Sequence, residues 1–316
     1  MHAIAPPGAW QLAGELPVSE DGDPSWGEGG RPLAPGLYLV STPIGAARDI
    51  TLRALDVLAA ADALAAEDTR TLRRLMSIHG VPLRGRRIAA LHDHNEASEA
   101  EALVARLTGG GTLAYASEAG TPLVSDPGFR LVRAAIAAAV PVHAVPGASA
   151  LLAALVVSGL PSDRVLFAGF PPAAASARRK WLAETLSVPA TAVIYESPRR
   201  VRDLLTDLCE TAPERGVVLC RELTKRFEEI RRGTAREVLD DLPPEGPRGE
   251  VVVLVDRAPA RVATEAEVSA LLAAAAADGL STRDAVDRVA GETGLSRRDV
   301  YRRAVSGREK RNDDDA

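Results

Sequence analysis

The chain has 316 residues, 46% of them hydrophobic and 26% charged, with a net charge of −5, which is room for two packed domains of ordinary globular balance. No apolar stretch approaches the roughly 18 residues of a membrane span, and the N-terminus lacks the basic-then-apolar order of a secretory signal; a soluble, cytoplasmic protein is expected. The acidic total argues against a nonspecific nucleic-acid coat while leaving room for a local basic face.

Aromatic residues are 3%, so the core must be built from Ala, Leu and Val. Cys209 and Cys220 read as two buried thiols, and no histidine pairs with them at zinc spacing, so no metal is expected.

Residues 1–35 are rich in Gly, Pro, Ser and acid without helical or strand period, and read as a disordered extension or a misassigned start. Order begins at the β-type run Leu37-Tyr-Leu-Val40, followed by a helical pattern with Leu52, Leu55 and Leu58 three apart and Thr51 near its start. Strand-like 87–91 precedes a polar turn and a helix through Glu101 to Leu107. Gly109-Gly-Gly111 ends that helix before the strand 112–116, and a helix over 130–139 leads to Val142. This β-α-β-α order predicts a mostly parallel sheet covered by helices over 36–159.

A second α/β unit is expected over 160–258, with strands at 165–167, 192–195, 217–219 and 250–255 and helices around Trp181 and Val201–Leu208. The continuous Val/Leu run at its end suits a strand buried on both faces. A third piece, 264–311, begins with an Ala-rich helix stopping at Asp278-Gly279. Two helices, about 282–292 and 296–305, follow; Gly294 closes one and Ser296 caps the next, which is helix-turn-helix geometry. Between 297 and 311 seven Arg or Lys stand against two acids, so this tail is locally basic.

In open α/β folds ligands bind beyond the carboxyl ends of the strands. The turns 41–45, 67–70, 92–96, 117–128 and 146–149 all follow strand-like runs, and their Gly, Pro and Ala let a ligand approach backbone N–H groups. Five such loops in register predict a shared ligand cleft. No G-x-G-x-x-G, P-loop or G-x-S-x-G signature is present, which disfavours a Rossmann dehydrogenase, a P-loop ATPase or a serine hydrolase.

Ser41-Thr-Pro-Ile-Gly45, Glu67-Asp-Thr-Arg70, Leu91-His-Asp-His-Asn-Glu96, Ser117-Glu-Ala-Gly-Thr-Pro-Leu-Val-Ser-Asp-Pro-Gly128, Val145-Pro-Gly-Ala-Ser149, Tyr195-Glu-Ser-Pro-Arg199 and Arg221-Glu-Leu-Thr-Lys225 occur in this order. The set resembles the tetrapyrrole methylases, in their ribosomal-RNA 2′-O-ribose methyltransferase branch, from about Leu37 to Asp256 and on into the helical tail. The resemblance implies an α/β, two-domain tetrapyrrole-methylase fold with S-adenosyl-L-methionine in a cleft between the domains, plus a small C-terminal helix-turn-helix-like domain. It further implies a homodimer that methylates the 2′-hydroxyl of a cytidine in 16S rRNA of the 30S ribosomal subunit. Two departures stand out: Ala46-Ala47 replaces the common Asn-Leu, and Glu118 replaces Asp, lengthening the side chain by one methylene.

By the same resemblance Pro43, Glu118, Ala119, Gly120, Thr121, Leu123, Ser149 and Ala150 surround the donor, and Tyr195 and Glu196 close over it. A ribose hydroxyl is a weak acid, so a base or a cation beside the developing alkoxide should help. Candidates are Glu67, Asp68, His92, Asp93, His94, Glu222 and Lys225. His92 leads, with Glu67 and Lys225, because an imidazole titrates near neutrality. Arg70, Arg73, Arg199, Arg200, Arg221, Arg226, Arg298 and Arg302 are candidate phosphate contacts. Phe129, Phe167, Phe170 and Phe227 are the phenylalanines available to stack on bases, with buried packing expected for most. Two other readings stay open: a methylase acting on a tetrapyrrole, and a non-catalytic regulator binding DNA through its helix-turn-helix.

Overall fold

The computed structural model describes residues 33–258, 264–293 and 295–314, with side chains to 305. The expected extension up to residue 32, and the helix-closing role of Gly294, lie outside the described residues. The chain divides into two compact units between Ser149 and Ala150.

The first unit alternates strand and helix: β1 (Gly36–Val40), α1 (Leu52–Ala60), β2 (Ala63–Ala66), α2 (Thr69–Ile78), β3 (Ile88–Ala90), α3 (Glu96–Ala105), β4 (Thr112–Ala116), α4 (Phe129–Ala137) and β5 (Val142–Val145). Its sheet has the order β3-β2-β4-β1-β5, and every pair is parallel. Alternate residues of each strand point to opposite faces. Tyr38, Val40, Leu64, Ala66, Ala114 and Ala116 therefore meet Leu55, Leu58, Leu72 and Met76 of α1 and α2. Leu37, Ala65, Leu113 and Tyr115 meet Leu103, Val104, Leu131 and Ala135 of α3 and α4 on the other side. Thr51 caps α1 by accepting from the Ala54 N–H, and Asp68 caps α2 through the Arg70 and Thr71 N–H groups. Parallel strands all end on the same edge, and that edge carries the loops.

The second unit begins with α5 (Ala150–Ser158), then β6 (Val165–Gly169), α6 (Ala175–Ser187), β7 (Thr191–Glu196), α7 (Val201–Thr211), β8 (Gly216–Arg221), β9 (Glu229–Thr234), α8 (Ala235–Asp240) and β10 (Val251–Val255). The sheet order is β6-β7-β10-β8-β9. Only β6 with β7 is parallel; the other pairings are antiparallel. The expectation of a strand buried on both faces is met by β10, which lies mid-sheet with all five residues buried. Leu182, Leu204, Leu208 and Val238 of α6, α7 and α8 pack on Ile194, Leu219 and Val253, while α5 packs against β8, β9 and β10.

Three helices complete the chain: α9 (Glu265–Ala277), α10 (Thr282–Thr293) and α11 (Arg297–Asp314). They close on Val268, Val286, Val289 and Val300. Thr264 and Glu267 form a capping box on α9, and Gly279, at φ +79°, lies just past its end. Ser296 caps α11 by accepting from the Asp299 N–H, as its sequence position predicts. That helix runs to Asp314, beyond the expected stop at 305. Among the described residues no helix is long and apolar enough to cross a membrane.

Candidate active site

The strand order of the first sheet fixes which loops are neighbours. Along the carboxyl edge they follow as 92–96, 67–70, 117–128, 41–45 and 146–149, because β3, β2, β4, β1 and β5 stand in that order. The expected register of five loops is thus a property of the sheet. Backbone bonds join the central pair: Thr42 N–H donates to Gly120 at 2.9 Å, and Gly120 N–H donates back at 3.0 Å. Ser41 Oγ donates to Thr121 Oγ1 at 3.2 Å, and Thr121 Oγ1 donates to the Ala148 carbonyl at 3.0 Å. Gly147 is required for this closeness, since a Cβ there would stand 2.9 Å from the Ser41 Cβ.

The long 117–128 loop turns through left-handed backbone at Gly120 (φ +82°), Leu123 (φ +72°), Ser125 (φ +65°) and Gly128 (φ +121°). Side-chain-bearing residues at such angles cost about 1–3 kcal/mol each and persist where surrounding contacts enforce them. Two acids hold the two ends of this loop. Glu67 Oε2 accepts from the Glu118 N–H at 3.1 Å, tying the loop to the end of β2. Glu96, 6% exposed, accepts through Oε1 from the N–H groups of Gly128 (3.0 Å), Arg130 (2.7 Å) and Leu131 (3.2 Å). Gly128 has no side chain to cap α4, and Glu96, at the start of α3, caps that helix instead.

Sequence reasoning passed over both Glu96 and Asp126. Burial first, then the charges of Glu67, Glu118 and Asp93, push the Asp126 carboxyl up to about 7. Three of the named candidates thus act on a fourth residue that was not one. Asp68 is the opposite case: its hydrogen bonds from Arg70 hold it down at about 2, which suits a cap and not a base. His92 is half-buried, with its ring edge-on to His94 at 5.9 Å between centroids, and its Nδ1 has no hydrogen-bond partner among the described residues.

Pro43, Glu67, His92, Glu118, Ala119, Gly120, Thr121, Leu123 and Ser149 all lie on the carboxyl-edge loops of the first unit. Ala150, Tyr195, Glu196 and Lys225 belong to the second. There Tyr195 Oη accepts from the Leu151 N–H at 2.9 Å, bringing the end of β7 to the start of α5 beside Ala150. The Glu196 side chain is fully buried; its Oε1 takes Arg200 at 2.7 Å, and its Oε2 has no partner among the described residues. Lys225 is partly buried, which lowers its affinity for a proton, but ion pairs to Glu250 (3.0 Å) and Glu222 (3.1 Å) outweigh this and hold it above the usual lysine value.

Of the arginines, Arg73, Arg199, Arg226 and Arg298 are exposed, and Arg70, 90% exposed, reaches back to Asp68. Arg200 and Arg221 are engaged with Glu196 and Glu229, and Arg302 with Asp299. Phe129, Phe170 and Phe227 are 61%, 53% and 62% exposed, which corrects the expectation of buried packing. Phe129 begins α4 on its outer side under Arg133, Phe227 sits in the β8–β9 turn under Arg226, and Phe170 follows β6 edge-on to Tyr195. Among the described residues no cluster of His, Cys, Asp and Glu is arranged to hold a metal.

A family model of the tetrapyrrole (corrin/porphyrin) methylases matches residues 36–239, and one of the RsmI C-terminal HTH domain matches residues 262–308. Ribosomal RNA small subunit methyltransferase I of Mesorhizobium japonicum is 47% identical over 277 residues, covering 87% of this chain and 93% of its own. The protein of that name from Mycobacterium tuberculosis is 41% identical over 280 residues, with coverage of 86% and 95%. Among solved structures, the methyltransferase CobJ has a TM-score of 0.54 at 21% identity, covering 72% of this chain and 97% of its own. Diphthine synthase has 0.53 at 14%, covering 70% and 89%. At those identities the structural likeness is one of fold. With the loops in place on a tetrapyrrole-methylase sheet and both family models matched, the chain belongs to the tetrapyrrole methylases, within the family of ribosomal RNA small subunit methyltransferase I.

Proposed function

We propose that this chain transfers the methyl group of S-adenosylmethionine to the 2′-hydroxyl of a cytidine ribose in 16S rRNA of the small ribosomal subunit. The observation that carries this reading is 47% identity across 93% of a relative named for methylating that subunit's RNA. The carboxyl edge of the first sheet fits such a donor. Its loops approach through backbone and hydroxyl groups, with Gly147 leaving no room for a side chain, and Glu67, Asp93, Glu118 and Asp126 act on one another there. Carboxylates so placed favour a ligand carrying a sulfonium and an ammonium. Pro43, Glu118, Ala119, Gly120, Thr121, Leu123 and Ser149 would hold it, and when bound it supplies a methyl group activated by positively charged sulfur.

The chain's own work is orientation and proton removal. Loops fixed by Glu67 and Glu96 hold their ligand without rearranging, which lowers the entropic part of the barrier. Asp126, with its carboxyl near neutrality, accepts the hydroxyl proton as the ribose oxygen bonds to carbon. Glu67 sustains that basicity by its charge, and His92 lies on the loop after β3, at the same edge. Lys225, held as a cation, suits charge stabilisation and not proton removal. The exposed guanidinium groups of Arg70, Arg73, Arg199, Arg226 and Arg298 suit RNA phosphates. The reading places the protein in the cytoplasm as a homodimer; Leu152 and Val156, 54% and 79% exposed on α5, accord with an apolar contact between copies.

The test is incubation of the full chain with labelled donor and 30S subunits from a strain lacking the enzyme. Label confined to one 16S ribose is expected. Transfer to a uroporphyrinogen-type acceptor with none to 30S would sink the reading.

A further inference from the structure

The helical tail contains a built pocket that the methyl-transfer reading does not use. In α10 the residues Arg283 and Val286 stand three apart, and in α11 Arg297, Tyr301 and Val305 stand four apart, so each set lines one face of its helix. Those faces meet around a pocket of about 580 Å³, lined by Arg283, Val286, Arg297, Arg298, Tyr301 and Val305 among others. Its floor is apolar: Val286 is 4% exposed and packs in the bundle core. Tyr301 remains 56% exposed and Val305 38%. Arg297 pairs with Asp287, whereas Arg283 and Arg298 have no ion-pair partner among the described residues.

An outward phenol ring beside free guanidinium groups is a poor core and a poor solvent face. It is well suited to a ligand that is flat on one side and anionic on the other. We propose that this pocket seats one unpaired nucleotide of an RNA strand, its base stacked on Tyr301 and its phosphate held by Arg283 and Arg298. This rests on the reading of the chain as an rRNA methyltransferase and deepens it, by assigning the tail a single-stranded contact.

The volume is right for a nucleotide, since small-ligand pockets run from about 300 to 1,000 Å³. A base has a π-face whatever its identity, so stacking on an aromatic ring grips unpaired RNA without reading its sequence. Duplex DNA is the less suitable occupant. Its bases are already stacked, and a helix reading its major groove does so with polar side chains on a convex face. Here the ring stands outward at the mouth of a pocket between two helices, where the face of an unpaired base can lie on it.

The test uses full-length protein, a fluorescein-labelled single-stranded RNA decamer and anisotropy titration at fixed salt. Tyr301→Ala is expected to weaken binding about 10-fold, the usual cost of one lost base–aromatic stack. Tyr301→Phe, which keeps the ring, is expected to stay within about 2-fold of wild type. Arg283→Ala and Arg298→Ala should each lessen the salt dependence by somewhat under one unit of slope, as for one lost phosphate contact on a single strand. Unchanged RNA affinity in Tyr301→Ala overturns the proposal, as does equal weakening in Tyr301→Phe. So does a loss confined to a duplex DNA probe. Wild-type protein is assayed in parallel on 30S subunits: failure there with RNA binding intact counts against the methyltransferase reading and not against the pocket.

Discussion

Replacing Glu96 by alanine removes the carboxylate whose Oε1 accepts three backbone bonds, stranding the donors of Gly128, Arg130 and Leu131. The Gly128 and Leu131 bonds are buried and the Arg130 bond partly so. A buried donor left unmade costs about 1–3 kcal/mol, while one that reaches water costs little. Two stranded donors therefore set a loss of about 4 kcal/mol, on the junction of the 117–128 loop with α4. Glu96→Gln keeps an acceptor in place and gives up only the charge, a loss of about 1 kcal/mol. Because the chain has two units, a single denaturation curve is a poor measure. Hydrogen exchange of a peptide spanning Val124–Ile136 reads the local opening directly. At about 1.4 kcal/mol per decade, Glu96→Ala should speed exchange there roughly a thousandfold and Glu96→Gln about fivefold to tenfold. Equal acceleration in the two variants, or less than tenfold for alanine, would refute the capping argument.

The single-turnover rate should rise with pH through about 7, the value to which burial and neighbouring acids bring Asp126; Asp126→Asn should cost roughly 10²–10⁴ in rate and flatten the profile, and an unchanged profile excludes Asp126 as the base. The same carboxyl binds its proton more tightly folded than unfolded, with 3.8 as the ordinary value, so wild-type stability falls as pH rises from about 4 to about 7. Asp126→Asn should accordingly gain on wild type across that window and match it below, as followed by hydrogen exchange of the same Val124–Ile136 peptide. Gly147→Ala puts a Cβ 2.9 Å from the Ser41 Cβ, so calorimetry with S-adenosylhomocysteine should show weaker binding by about 1–3 kcal/mol. Arg200→Ala leaves the Glu196 side chain, fully buried, without its cation, destabilising the second unit by about 3 kcal/mol; recovery of most of that loss by adding Glu196→Gln, read by hydrogen exchange of β7 and α7, is the expected signature of an ion pair.

What the sequence displayed well was local. Apolar runs bounded by Gly and Pro found β1, β4 and β10, and Thr51 and Ser296 marked helix starts. The turns on the carboxyl edge were legible because their residue types serve backbone close approach. Strand β2 was legible only through the turn that follows it: Ala63–Ala66 continues an Ala-rich helix, and alanine favours helix unless pairing overrides it. That pairing comes from β3 and β4, well away in sequence. Strand β9, Glu-Ile-Arg-Arg-Gly-Thr, lacks an apolar alternation because it is an edge, where charge discourages further pairing. The hairpin it forms with β8 makes the second sheet largely antiparallel, which strand–helix alternation alone does not disclose. Asp126 was invisible for a related reason. Its basicity is made by burial and then by acids on three different loops, whose meeting depends on strand order.

That strand order also bears on how the chain is made. Strand β1, interior to the sheet, is made before its partners β4 and β5, which begin at Thr112 and Val142. At about 5–20 residues per second of synthesis, β1 waits roughly several seconds with both edges unpaired. Contacts of such sequence separation form late and slowly. The sheet of the first unit therefore closes only once β5 has been made, and the five loops on its carboxyl edge reach their places together at the end of that unit's synthesis.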